Sequence, residues 1–129
     1  QGDTRVDEAA LRTLYLTPYK AAVDAGALTI MVSFSSWNGT KMHAQKYLLT
    51  DVLKGELGFK GFLISDFQGM DQVSPYYYEA MVTSINAGLD MNMGMYDPKR
   101  FIDTVNLTGR TDTGLPRAII GFLSKWKIG

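Results

Sequence analysis

Apolar positions recur at helical spacing from Val6 to Ala25, where Leu11, Leu14, Tyr15, Tyr19, Ala22 and Val23 share a face. Asp7 suits the N-cap and Gly26 the position just past the C-terminus. Pro18 predicts a kink or a split into two helices. Leu28–Phe34 (LTIMVSF) has no alternation and is rich in β-branched residues, which predicts a parallel strand buried on both faces. It runs into Ser35–Gly39, whose polar composition predicts a turn-forming loop. A second helix is expected over Gln45–Leu57, with Leu48, Leu49, Val52, Leu53 and Leu57 on one side and Gly58 as the stop. Gly61–Ser65 (GFLIS) is a second buried-strand pattern, followed at once by Asp66. Tyr76–Ala87 reads as a helix closed by Gly88, and Leu89–Met93 as a third, weaker strand. Asp97-Pro98 is a cap with Pro at the first helical position, starting a helix to about Val105. Asn106–Leu115 is rich in Gly, Thr and Asp and reads as a loop, and Pro116–Ile128 as a last helix.

The order α-βα-βα-βαα implies an α/β fold of parallel strands joined by right-handed crossovers. With 129 residues, the chain is one domain's worth. A complete (β/α)8 barrel needs about 200–250 residues, so the chain cannot be one alone. It begins at Gln1, not Met, and is expected to be a processed or excised piece; its polar, acidic opening does not read as a signal peptide.

Composition removes several classes of function. Thirteen Lys and Arg balance thirteen Asp and Glu with no basic run, so no nucleic-acid partner is expected. No apolar stretch approaches a membrane span, and no amphipathic basic segment suggests a membrane surface. The absence of cysteine excludes disulfides, thiolate catalysis and thiolate metal sites.

In parallel α/β folds, chemistry gathers at the carboxyl ends of strands. Asp66 stands at the sharpest such place, where neighbours and desolvation can tune a carboxylate. A helix N-cap or turn role is the alternative from position alone.

Three stretches resemble the family three glycoside hydrolases, which include β-glucosidases and exo-acting glucan hydrolases. They are Ser33–His43 (SFSSWNGTKMH), Tyr47–Phe67 (YLLTDVLKGELGFKGFLISDF) and Ile85–Met91 (INAGLDM). Gln1–Arg12 is similar to the family segment after the fifth barrel strand, and Pro116–Gly129 loosely to the helix that ends the barrel domain. The resemblance implies that residues 1–129 are a single partial domain, the last part of a TIM-type (β/α)8 barrel with three strands and flanking helices. Such a piece is either an incomplete barrel or a half that assembles with copies of itself. It further implies that Asp66 is the catalytic nucleophile of a retaining β-glucosidase-like enzyme. Phe67 stands where the family has a sugar-clamping Trp, and Phe34 where it has a Tyr beside the nucleophile; Met31 matches a residue lining the sugar pocket. Phe34 has no hydroxyl to offer a carboxylate. The family's early sugar-binding residues and its acid/base domain would come from elsewhere. The implied partners are a β-glucoside or oligosaccharide, together with the missing barrel half and acid/base domain or further copies of the chain. No cofactor or metal is implied. Periplasmic or extracellular localisation follows from polymer-degrading relatives, with the cytoplasm as the alternative.

Retention needs two carboxyl groups about 5–5.5 Å apart. Asp71, Asp90 and Asp97 are expected to be structural. His43, the only histidine, lacks any metal-ligand spacing and is expected to make a structural hydrogen bond. Lys41 reads as solvated, while Trp37 divides evenly between packing and stacking on sugar. Tyr76, Tyr77 and Tyr78 cannot share one helix face. Met91, Met93 and Met95 alternate as core-filling strand residues would, and Asn92 among them lacks an obvious partner. Asn38-Gly39-Thr40 and Asn106-Leu107-Thr108 fit the glycosylation triplet, which often arises by chance. A phosphoacceptor domain is disfavoured because a helix comes first and only one strand precedes Asp66. A non-catalytic fragment that binds sugar or self-associates is the other alternative, since open parallel strands invite pairing.

Overall fold

The computed structural model describes residues 2–94 and 97–110, and the chain divides into two units, Gln1–Gly94 and Met95–Gly129. The helix expected over Pro116–Ile128 lies outside the described residues.

The first unit opens with a two-residue strand, β1 (Asp3–Thr4). Helix α1 follows as three continuous stretches, Glu8–Ala10, Leu11–Leu16 and Thr17–Asp24. Asp7 caps it as expected, its carboxylate accepting the Ala10 N–H at 2.8 Å. Pro18 does not split the helix. It sits in the first turn of the third stretch, and the turns before it are wound as a π-helix. A proline removes one i→i−4 donor, and a local π register absorbs the lost bond without a break. Gly26, at φ +83°, ends α1.

The central sheet is parallel: β2 (Thr29–Met31) pairs with β5 (Phe62–Ile64) in the register Thr29↔Phe62, Ile30↔Leu63, Met31↔Ile64. The third predicted strand is reduced to one parallel bridge, Ile64↔Met91. Asp90 supplies a side-chain contact at this edge. Its carboxylate accepts the Leu63 N–H at 2.8 Å and pairs with Lys54 at 2.6 Å. Ser65 and Asn92 complete the link: Ser65 Oγ bonds Asn92 Oδ1 at 3.2 Å and accepts the Met93 N–H at 2.8 Å.

The expectation of strands buried on both faces is corrected. Leu63 is fully buried, but Thr29, Met31 and Phe62 are exposed, as is Leu28 just before β2. Met91 is half exposed, so it is not core filling. Apolar runs report the burial a segment is suited to, whereas actual burial needs a covering layer. Among the described residues, that layer lies on one face only.

That covered face packs against α2 (Tyr47–Glu56), also wound as a π-helix, which buries Leu49, Val52 and Leu53. Helix α3 (Tyr77–Ala87) buries Ala80, Met81 and Ile85 and closes on Gly88 in the left-handed region. Each buried Leu, Val, Ile or Met side chain here stabilises the fold by roughly 1.5–3 kcal/mol. Arg12 ties α1 to α2 by bonding Glu8, Glu56 and Tyr47, an exposed network of modest worth.

A hairpin replaces the expected Ser35–Gly39 loop. β3 (Ser36–Trp37) and β4 (Thr40–Lys41) are antiparallel, and β1 adds to β3 in parallel. Asn38 and Gly39 both have positive φ, as a two-residue primed turn requires. In the second unit, α4 (Pro98–Arg110) begins on Asp97, which caps the Arg100 N–H. It continues through Asn106–Arg110, which had read as loop.

Candidate active site

Asp66 is the second residue past β5, and five hydrogen bonds made over residues 65–69 fix its position. Ser65, fully buried, anchors the strand end by donating its N–H to Met91 O at 2.9 Å. The Asp66 N–H then donates to His43 Nε2 at 3.0 Å. Asp66 O accepts the Gly69 N–H at 3.0 Å, and Asp66 Oδ1 accepts the Phe67 N–H at 2.6 Å. Gln68, at φ +54°, donates its N–H to Met93 O. Among the described residues, Oδ2 accepts no hydrogen bond. The side chain is partly exposed, so one carboxylate oxygen faces outward from a tightly specified turn.

Met31 lies at the carboxyl end of β2, level with Ile64, and is 51% exposed. Phe67 is 49% exposed, and Gly94 sits against its ring so closely that a Cβ there would overlap it. Phe34 is half-buried, with Lys41 Nζ 5.4 Å above its ring. The four residues singled out in the sequence thus all stand at the carboxyl ends of the two paired strands. A cavity of about 330 Å³ lies elsewhere, between α1, β2 and α2, lined by Leu11, Tyr15, Ile30, Leu49 and Leu53 among others. Of the four, only Met31 touches it, so this apolar space belongs to the layer between helices and sheet.

His43 makes a structural bond, and its target is the main chain of Asp66, a link that the sequence could not show. Its imidazole is 1% exposed. Burial pushes its pKa down to about 4, opposed by the charge of Asp66 and reinforced by Lys41. It is therefore neutral at pH 7, and its role as acceptor requires a bare Nε2 with the proton on Nδ1. Trp37 commits its indole N–H to Val6 O at 3.0 Å, a packing role. Asp97 is a helix cap. Among the described residues no group of three or more His, Asp or Glu could hold a metal, and no helix is long and apolar enough to cross a membrane.

The buried histidine predicts a pH dependence of stability. An unfolded His titrates near ~6.5, and the folded group near about 4. Between those values the unfolded chain binds more protons, so stability is complete above pH ~6.5 and falls as pH drops toward 4, by about 3 kcal/mol. Denaturation at pH 7 and pH 4.5 should show this loss, and the same pair of measurements on His43→Leu should show it reduced. An unchanged pH dependence in that variant would count against the assignment.

Comparison with known proteins places the chain in a family. The chain matches the Glycosyl hydrolase family 3 N terminal domain over residues 1–115. It is 34% identical to a beta-xylosidase of Formosa agariphila, over 71% of this chain and 14% of that one. It is 38% identical to a periplasmic beta-glucosidase of Salmonella typhimurium, over 61% and 11% respectively. Among solved structures it resembles an exo-1,3/1,4-beta-glucanase from a Pseudoalteromonas species, with a TM-score of 0.74 and 36% identity, over 84% of this chain and 14% of that one. The chain therefore spans only about a seventh or less of the length of these relatives. By the extent of the family match, this chain belongs to glycosyl hydrolase family 3, within its N-terminal domain.

Proposed function

We propose that this chain carries the nucleophile of a β-glucosidase-type glycoside hydrolase that works by retaining double displacement, and that the nucleophile is Asp66. The observation that carries the reading is the placement of Asp66. It lies two residues beyond the parallel strand β5, its main chain is pinned on both sides, and one carboxylate oxygen is left outward. In the first step that oxygen bonds the anomeric carbon as the glycosidic C–O bond breaks, and an acid protonates the leaving oxygen. In the second, water activated by the same group releases the sugar with retained configuration. The family resemblance assigns the acid/base to another part of the protein, and Asp90 and Asp97 are engaged in the contacts already described. Met31, Phe34 and Phe67 form the apolar part of the sugar site, the rings offering faces to C–H-rich sugar surfaces.

Residues 1–129 then form one partial barrel domain contributing the last strands. The exposed row of Met31, Phe62 and Met91 supports this, because such a surface needs cover from the remainder of a barrel. The same row favours a second reading, a non-catalytic piece that covers it by self-association. The names of the Salmonella and Pseudoalteromonas relatives point to β-glucosides or β-glucans, that of the Formosa relative to β-xylosides, and the Salmonella relative's name to a periplasmic setting. The test is exposure of the full gene product containing this segment to an activated 2-deoxy-2-fluoroglucoside. The expected outcome is a stoichiometric adduct on Asp66, located by peptide mass spectrometry. An adduct on a different carboxylate, or none with an enzyme that turns over nitrophenyl β-glucoside, would refute the assignment.

A further inference from the structure

We propose that His43 is a positioning residue for Asp66: by accepting the Asp66 main-chain N–H while wedged beneath Gly69, its imidazole sets the direction of the nucleophilic carboxylate. The proposal rests on the reading of Asp66 as nucleophile. Three observations carry it. The first is the bond itself, Asp66 N to His43 Nε2 at 3.0 Å, which spans 23 residues and joins the segment after β4 to the end of β5. The second is the source of the acceptor. Among the described residues, the N–H groups of Phe67, Gln68 and Gly69 donate to Asp66 itself or to main-chain carbonyls, whereas that of Asp66 donates to another residue's side chain. The third is steric. A Cβ on Gly69 would overlap Cε1 and Nε2 of His43, so the turn closes directly onto the ring. The ring has nowhere to go, being 1% exposed.

The mechanical consequence is specific. The Asp66 amide nitrogen is bonded directly to the Cα that carries the side chain, so rotating that peptide re-aims the carboxylate. Loss of about 1 Å in the position of a reacting group can cost on the order of 10²-fold in rate. His43 touches no substrate in this account and acts only through Asp66.

The experiment compares wild type, His43→Leu and His43→Gln in the full gene product. Its readouts are the rate of 2-fluoroglucosyl labelling of Asp66, and kcat and KM on nitrophenyl β-glucoside. His43→Leu removes the acceptor and should slow labelling and kcat about 100-fold, with KM changed only a few-fold. His43→Gln presents an amide oxygen to the same N–H and should recover most of the rate. Wild-type labelling of Asp66 in folded His43→Leu would overturn the proposal alone, as would a folded His43→Gln no faster than His43→Leu. An adduct on another residue would overturn the reading of Asp66, and this proposal with it. Should the variants not fold, the imidazole of the wild type decides. Selective ¹⁵N-histidine labelling should show a bare Nε2 and a protonated Nδ1 at pH 7, and the reverse tautomer would overturn the contact.

Discussion

Replacement of Asp66 by asparagine is expected to lower kcat on nitrophenyl β-glucoside by on the order of 10⁴-fold or more, the scale seen when a covalent nucleophile is removed. The fold should survive. The amide side chain keeps an oxygen for the Phe67 N–H that Asp66 Oδ1 accepts at 2.6 Å, and the main-chain N–H at this position can still donate to His43. What disappears is the charge and the nucleophilic lone pair on the outward oxygen. An unchanged unfolding curve with collapsed kcat would therefore separate chemistry from stability. Asp66→Ala offers a sharper form of the same test. Removing the carboxylate leaves room on the face it attacked from, and added azide can fill it and attack in one displacement. A single displacement inverts, so a β-glucoside should yield an α-glucosyl azide. Retention of a tenth or more of the activity by Asp66→Asn would remove Asp66 from the mechanism.

How far such a site can be read from sequence depends on the range of the forces that build it. Helix ends were legible because caps are local. Asp7, Gly26, Gly88 and Asp97 each act within a few residues of the terminus they define. Asp66 was singled out by its place after an apolar run, where a cap or turn role was equally open, and by the surrounding motif's resemblance to a family. The hairpin at Asn38-Gly39 had a signal, the Asn-Gly pair itself, but its flanking polar residues masked it. β1 had none, since two residues paired to a distant strand leave no periodicity. Asn106–Arg110 is helical despite Gly and Thr, because weak propensities yield once a capped helix is propagating. The exposure of β2 was illegible in principle, since burial depends on what covers a strand. The same holds for His43, where two residues far apart in sequence meet through one nitrogen and one N–H. The only trace of that meeting was Gly69, a glycine three residues past a strand-end aspartate.

Gly69→Ala is accordingly the second large effect expected, and its cause can be isolated. Gly69 has φ −63° and ψ −33°, an ordinary right-handed conformation that alanine adopts freely. Judged by backbone alone, the substitution should stabilise slightly, by about 0.4–1 kcal/mol, by restricting the unfolded chain. Space reverses the sign. The new Cβ would overlap Cε1 and Nε2 of His43 and lie 2.9 Å from Nδ1, against a ring that is 1% exposed. Overpacking of this kind costs about 1–3 kcal/mol, and relief requires moving the turn that carries Asp66. Both stability and kcat should therefore fall, the latter on the order of 10²-fold if the carboxylate shifts by about 1 Å. Gly26→Ala is the informative contrast, because its Cβ would meet nothing within 4 Å while its φ is +83°. It should cost about 1–2 kcal/mol through backbone strain alone and leave kcat unchanged. A double-mutant cycle then separates the cause at Gly69. If the clash with the imidazole is responsible, His43→Ala and Gly69→Ala together should cost less stability than the sum of the two single changes. Strict additivity would mean that the ring is not what excludes a side chain at Gly69. In either case kcat should not return in the double variant, because the acceptor for the Asp66 N–H is still missing.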